Sequence, residues 1–239
     1  RPYDNWNIFM QTNEIHKILK QNPWFASLPE DLAKQLQQKC KIKHLHDKQM
    51  LHQKNDLADG FYCVLTGRIR ASNFTLEGKE LVLTWIQPGN WFGEISLIDG
   101  QPRTHDAHAE GPTTLLRMPK SAFDLLMATH QSWQRHIMRL LCQRVRATFS
   151  LIDETGCLSL KGQLCKRLSL MQQGLEEQHQ GTMAKELAIS QDSLAQLINS
   201  SRQTVNKILQ SLQADKVIAL GYGKIIILDR SILEALSQI

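Results

Sequence analysis

Apolar positions in this chain follow two different periods. Between residues 41 and 118 they fall in short runs, Phe61–Leu65, Arg68–Asn73 and Glu80–Ile86. Turn signals at Asp59-Gly60, Glu77-Gly78 and Pro88-Gly89 separate them. Several short strands at regular spacing predict a β-roll, barrel or sandwich, because each strand must bury one face against another. On either side the period is helical. A short helix is expected over Asn13–Lys20, and a second after Pro29, with Leu32, Leu36 and Cys40 as its stripe. A long helix is expected from Ser132 to Thr155. Ile137, Leu141, Val145 (or Arg144), Thr148 and Ile152 recur there near the heptad period, which suits pairing with a second copy of the helix. Packing on its own domain is the plainer alternative. Leu158–Gln173 reads as another amphipathic helix, and QGLEEQHQG after it as a polar turn.

The stretch SQDSLAQLINSSRQTVNKILQSL, Ser190 to Leu212, predicts two short helices around a tight turn. Ser190 can cap the first and Ser201 the second, each hydroxyl accepting from an orphan amide of the first turn. Leu194, Leu197 and Ile198 give the first helix one apolar face. Val205, Ile208, Leu209 and Leu212 do the same for the second. Asn199, between them, tolerates the left-handed backbone a tight turn needs. Arg202, Gln203, Asn206 and Lys207 then fall together near the start of the second helix. Long hydrogen-bonding side chains placed there suit base edges in a major groove. The alternative is an ordinary helix with a solvated polar face. Residues 217–228 predict a β-hairpin tipped by Gly221-Tyr222-Gly223-Lys224, a wing from which Lys224 could touch phosphate.

Composition narrows the picture. The 239 residues are 42 % apolar, enough for two ordinary cores, and carry a net charge of +5. That excess mildly favours an anionic partner. From residue 160 onward nine Lys and Arg face only seven Asp and Glu, so a DNA face must come from local clustering. The five cysteines are odd in number and lack CxxC spacing, which fits a reduced, cytoplasmic protein. No apolar run approaches a membrane-spanning length of ~18 residues, and no leader pattern is visible.

FGEISLIDGQPRTHDAHA, residues 92–109, carries the second set of candidates. Gly93 permits close backbone approach, and Glu94 can accept from a ribose hydroxyl. Arg103 supplies a planar fork for phosphate oxygens. Thr104 and the backbone of the intervening turn, including Ile95 and Ser96, can complete an anion cradle.

Taken in order, LADGFYCVLTGRIR, EGKELVLTWIQPGNWFGEISLIDGQPRT and SRQTVNKILQSL resemble the Crp/Fnr family of bacterial transcription regulators, over roughly residues 25 to 230. The resemblance implies an α+β protein. Its parts would be an N-terminal segment (1–24), a cyclic-nucleotide-binding β-roll (25–130), a dimerisation helix (131–157) and a winged helix-turn-helix (158–239). It puts Gly93 and Glu94 at the ribose, Arg103 and Thr104 at the cyclic phosphate, and a long-helix hydroxyl, Thr148 or Ser150, at adenine. Cyclic AMP is the implied effector, with double-stranded DNA, a second copy of the chain and RNA polymerase as partners. The sequence departs from the family at Gln203 and Lys207, where many relatives carry Glu and Arg, so the usual half-site is not inherited. His105 stands where Ala is common.

Other signals fit the same fold: another nucleotide, a redox centre, haem, or none. Cys40 is the only cysteine before residue 60, too few for an N-terminal iron–sulfur cluster. His44, His46 and His52 could be assembled into a metal site, but no carboxylate or cysteine accompanies them and a solvated strand face is the expectation. There is no phosphate loop or nucleophile motif, and Glu176-Glu177 read as solvent-facing, so neither metal nor catalysis is expected.

Overall fold

The computed structural model describes residues 12–78, 80–178, 186–221 and 223–238. The expectations placed on residues 1–11, on the end of QGLEEQHQG and on Tyr222 lie outside the described residues. The chain divides into two compact units, residues 1–73 with 83–143, and residues 74–82 with 144–239.

The first unit begins with helices α1 (Thr12–Lys20), α2 (Pro23–Ala26) and α3 (Glu30–Lys39). Strands β1 (Lys41–Leu45), β2 (Met50–His52), β3 (Gly60–Phe74), β4 (Glu80–Ile86), β5 (Trp91–Phe92) and β6 (Asp106–Pro119) follow, with α4 (Glu94–Asp99) between the last two. Then come α5 (Lys120–Thr129) and α6 (Gln131–Cys157), of which residues 131–143 belong to this unit and 144–157 to the second. The sheet runs β1-β6-β3-β4, with β2 also on β6 and β5 also on β3. Long β6 therefore binds several partners, each antiparallel.

The two runs expected at 61–65 and 68–73 are one strand. β3 passes through a register irregularity around Gly67, whose φ of 75° suits glycine alone. A Cβ there would stand 2.5 Å from the Pro112 carbonyl oxygen. β3 is apolar on both faces because it divides two cores. Phe61, Cys63 and Leu65 join the helices on one side, while Tyr62, Val64 and Ile69 fill the roll on the other. The helix-side core is aromatic. Phe61 stacks on Trp91 at 4.8 Å between centroids and meets Trp24, Phe123 and Trp133 edge-on at 6.0, 5.7 and 6.4 Å. The Trp24 indole also donates to the His136 carbonyl at 2.7 Å, fixing α2 against the start of α6.

α6 spans the long helix expected from the heptad pattern, but its stripe is shifted. Ile137 and Leu140 are consumed by the first unit's own core. The line left exposed is Met138, Cys142, Val145, Phe149 and Ile152.

The second unit contains α7 (Leu160–Gln178), β7 (Glu186–Leu187), α8 (Gln191–Leu197), α9 (Arg202–Ala214), β8 (Ile218–Gly221), β9 (Lys224–Ile227) and α10 (Arg230–Leu236). α7 runs past the expected turn. Gln and Glu are good helix formers, and one internal glycine costs only about 1 kcal/mol. The polar residues 173–178 continue the helix instead of forming the expected turn. The Glu154 carboxylate at the end of α6, nearly buried, pairs with Lys166 at 3.2 Å and Arg167 at 3.0 Å on α7. The hairpin gains a third strand, in the order β7-β9-β8. Two residues of β7 are too few to carry a period. α10 did have a signal, since Asp229 accepts from the Ile232 amide at 3.0 Å as its cap.

Candidate functional site

Arg103 is the centre of the first candidate site. Its side chain is only 3 % exposed. Its backbone is fixed on both sides: its amide donates to the Asp56 carbonyl at 2.8 Å and its carbonyl accepts from the Asn55 amide at 2.9 Å. Nη1 donates to the Gly93 carbonyl at 2.8 Å, and Nη2 to the Gly60 carbonyl at 2.8 Å and to Asp59 at 3.2 Å. Nε–H is buried and has no partner among the described residues. The guanidinium is therefore aimed by the protein, with a donor left over for an anion.

Gly93 caps α4 at φ 92°, and a Cβ there would sit 2.8 Å from the Arg103 Nη1. Only glycine lets the arginine lie so close to the backbone. Glu94, the first residue of α4, is buried, as is Ser96, whose hydroxyl donates to the Pro102 carbonyl at 3.1 Å. That bond ties α4 to the segment carrying Arg103. Ile95 is exposed. Thr104 is exposed, with its hydroxyl 2.8 Å from the His105 Nδ1.

Asp59 was missed as a site residue. It lies 44 residues before Arg103, and no spacing rule connects them. Its carboxylate also accepts from the Tyr62 hydroxyl at 2.7 Å and pairs with Arg117 at 3.2 Å. Partial burial opposes its ionisation. The Tyr62 hydrogen bond and the two arginines outweigh that and hold the carboxyl below its ordinary range. Conversely, burial and then Asp59 push the Tyr62 phenol up. His52 was assigned only to a strand face with His44 and His46. Those two are exposed on either side of buried Leu45, whereas His52 is buried near Arg103. Burial first, then Arg103 and His105, push it down to about 3. His105 is lowered for the same first two reasons.

In the second unit, Thr148 is exposed and donates to the Arg144 carbonyl at 3.0 Å, and Ser150 is exposed.

The helix-turn-helix forms through its caps. Ser190 accepts from the Ser193 amide and Ser201 from the Thr204 amide, each at 3.0 Å. Asn199 takes φ 48° at the turn. Leu194, Ile198, Val205, Leu209 and Leu212 are buried in one core, with Leu197 and Ile208 half-buried beside them. Arg202, Gln203 and Lys207 are exposed at the start of α9. Arg202 pairs with Asp192 on α8 at 3.4 Å. Asn206 is half-buried, 3.5 Å from the Gln191 amide nitrogen. Lys224 begins the second hairpin strand and pairs with Glu186 at 3.0 Å.

Known proteins share both halves. Residues 42–130 match the cyclic nucleotide-binding domain, and residues 162–236 match the Crp-like helix-turn-helix domain. The chain is 28 % identical over 221 residues to the cyclic AMP receptor protein of Thermus thermophilus, covering 92 % of this chain and 98 % of that protein. It is 28 % identical over 151 residues to the CRP-like cAMP-activated global transcriptional regulator of Mycobacterium tuberculosis, covering 63 % of this chain and 67 % of the other. Its fold is similar to that of FixK2 from Bradyrhizobium japonicum, with a TM-score of 0.73 at 18 % identity over 82 % of this chain and 96 % of that one.

Proposed function

The chain belongs to the Crp family of transcription regulators, with a cyclic nucleotide-binding domain ahead of a DNA-binding helix-turn-helix, and from that premise we propose that cyclic AMP is its effector. The observation carrying this reading is Arg103, buried, held on three sides by protein acceptors and left with a free Nε–H. Relatives named for cyclic AMP support it. In this reading Glu94 accepts from the ribose, Arg103 and Thr104 hold the cyclic phosphate, the α4 turn at Ile95 and Ser96 lines it, and Thr148 meets the base. Binding favours a DNA-competent arrangement already present among the chain's conformations. No catalytic step and no metal are assigned.

On DNA, Ser201, Arg202, Gln203, Asn206 and Lys207 face the major groove and Lys224 the backbone. The functional unit is a homodimer joined along the exposed Met138–Ile152 line of α6, acting on RNA polymerase in the cytoplasm. No helix among the described residues is long and apolar enough to cross a membrane. Phe149→Glu places a charge in that apolar line, and light scattering should then report a monomer at concentrations where the parent is a dimer.

The direct test selects a DNA site from a random pool and measures gel-shift affinity with and without cyclic AMP. Effector should tighten binding about 5- to 150-fold, the usual range of an allosteric coupling. In the same assay Arg202→Ala should lose about ten- to a hundredfold on the selected site, and much less on random duplex. Equal losses on both would make Arg202 a phosphate contact. A selected site bound equally with and without cyclic AMP would remove the effector claim and leave the DNA claim standing.

A further inference from the structure

Two histidines border Arg103 from different elements. His52 comes from β2, is 7 % exposed, and its Nδ1 has no partner among the described residues. His105 comes from the segment just after Arg103. The two ring centroids are 5.8 Å apart. His105 reaches the site through Thr104, with its Nδ1 2.8 Å from the threonine hydroxyl oxygen.

That contact works in two directions. A hydroxyl has one proton to donate. When the His105 Nδ1 lacks hydrogen, the Thr104 proton points at the ring. When His105 is an imidazolium, Nδ1–H donates to the Thr104 oxygen, and the hydroxyl proton is released towards an anion. The charge state of His105 thus sets whether Thr104 can serve a phosphate.

The surrounding charges decide that state. His105 faces Arg103, Asp106 and Glu94, and His52 faces Arg103, His105, Asp59 and Asp56. Without ligand, burial and the arginine bias both rings towards the neutral form. A phosphodiester beside Arg103 offsets the arginine's charge and favours an imidazolium.

We propose that His52 and His105 form a proton-accepting arm of the anion site, so that binding a cyclic phosphodiester takes up a proton from solvent onto an imidazole nitrogen. The proposal rests on the reading of Arg103 and Thr104 as the phosphate site. By linkage, affinity then rises as pH falls, by at most about tenfold per pH unit for each proton taken up. The cyclic phosphate itself stays ionised throughout this range and contributes no slope.

The experiment is calorimetric titration of the full chain with cyclic AMP between about pH 5.5 and about pH 8, in two buffers of different ionisation enthalpy. For the parent, Kd should be about tenfold lower at the acid end, and the apparent enthalpy should differ between buffers in proportion to proton uptake. His105→Ala and His105→Gln, at a half-buried position, should bind more weakly at the acid end and vary by less than about twofold across the range. His52→Gln should reduce the slope. Tight parent binding with a flat pH profile and buffer-independent enthalpy overturns this proposal and leaves cyclic AMP as effector. So does a slope that survives in both His105 variants. No heat of binding at any pH overturns the effector reading, and this one with it.

Discussion

Arg103→Ala should weaken cyclic AMP binding by about a hundredfold to ten-thousandfold. A charged hydrogen bond contributes about 1.5–3 kcal/mol, and the guanidinium N–H groups not taken by Gly93, Gly60 and Asp59, on Nε and Nη1, can supply two of them. The change also removes the bonds to Gly93, Gly60 and Asp59, so Asp59 is left facing Arg117 and Tyr62 without its third partner. Some loss of stability is expected from that, and circular dichroism melts separate it from the binding effect. Arg103→Lys sharpens the result. An ammonium keeps the charge but cannot keep two carbonyls and a phosphate in one plane, so binding should recover only partly. Calorimetry with each folded variant provides the measurement. Unchanged affinity in folded Arg103→Ala would show that the pocket does not use its buried guanidinium.

Phe61→Ala should destabilise the first unit by about 3–5 kcal/mol, the usual cost of deleting a buried aromatic ring. That is a large part of the ~5–15 kcal/mol by which a domain holds together. The ring is fully buried, stacks on Trp91 and meets Trp24, Phe123 and Trp133. None of these packed rings can collapse into the cavity without breaking its own contacts, so little of the loss is recovered. Denaturant unfolding followed by circular dichroism measures it. Leu209→Ala is the matched change in the separate core of the second unit and should leave the first transition in place. A loss below about 1 kcal/mol in Phe61→Ala would mean that the aromatic core repacks freely.

The helix-turn-helix was readable from residues because each of its devices is local. Ser190, Asn199 and Ser201 act on atoms within a few positions, and the alternation of Val205, Leu209 and Leu212 with polar neighbours marks the buried side. The roll was readable as a class, but β3 was split in two, since Gly67 looks like a turn in sequence and is an irregularity inside a strand. The heptad line of α6 was displaced because sequence periodicity does not tell which apolar residues a helix keeps for its own unit. Ile137 is kept and Phe149 is not. The candidate anion segment is marked in the sequence by Gly93, Glu94 and Arg103. Asp59 and His52 carry no such mark, because their relation to Arg103 is made by the sheet rather than by spacing. The polar end of α7 differs for the opposite reason, because Gln and Glu favour a helix with no apolar period to mark it.

The crowded indoles around Phe61 have one further consequence. Of the five tryptophans, at positions 6, 24, 85, 91 and 133, the four that the structure describes fall within the first unit, and residues 144–239 have none. Intrinsic indole emission is thus a private reporter of the ligand-side unit. Its blue-shifted signal should follow opening of that core, while the DNA-side unit stays optically dark. The chain comes already labelled, on one side only, for watching its two halves separately.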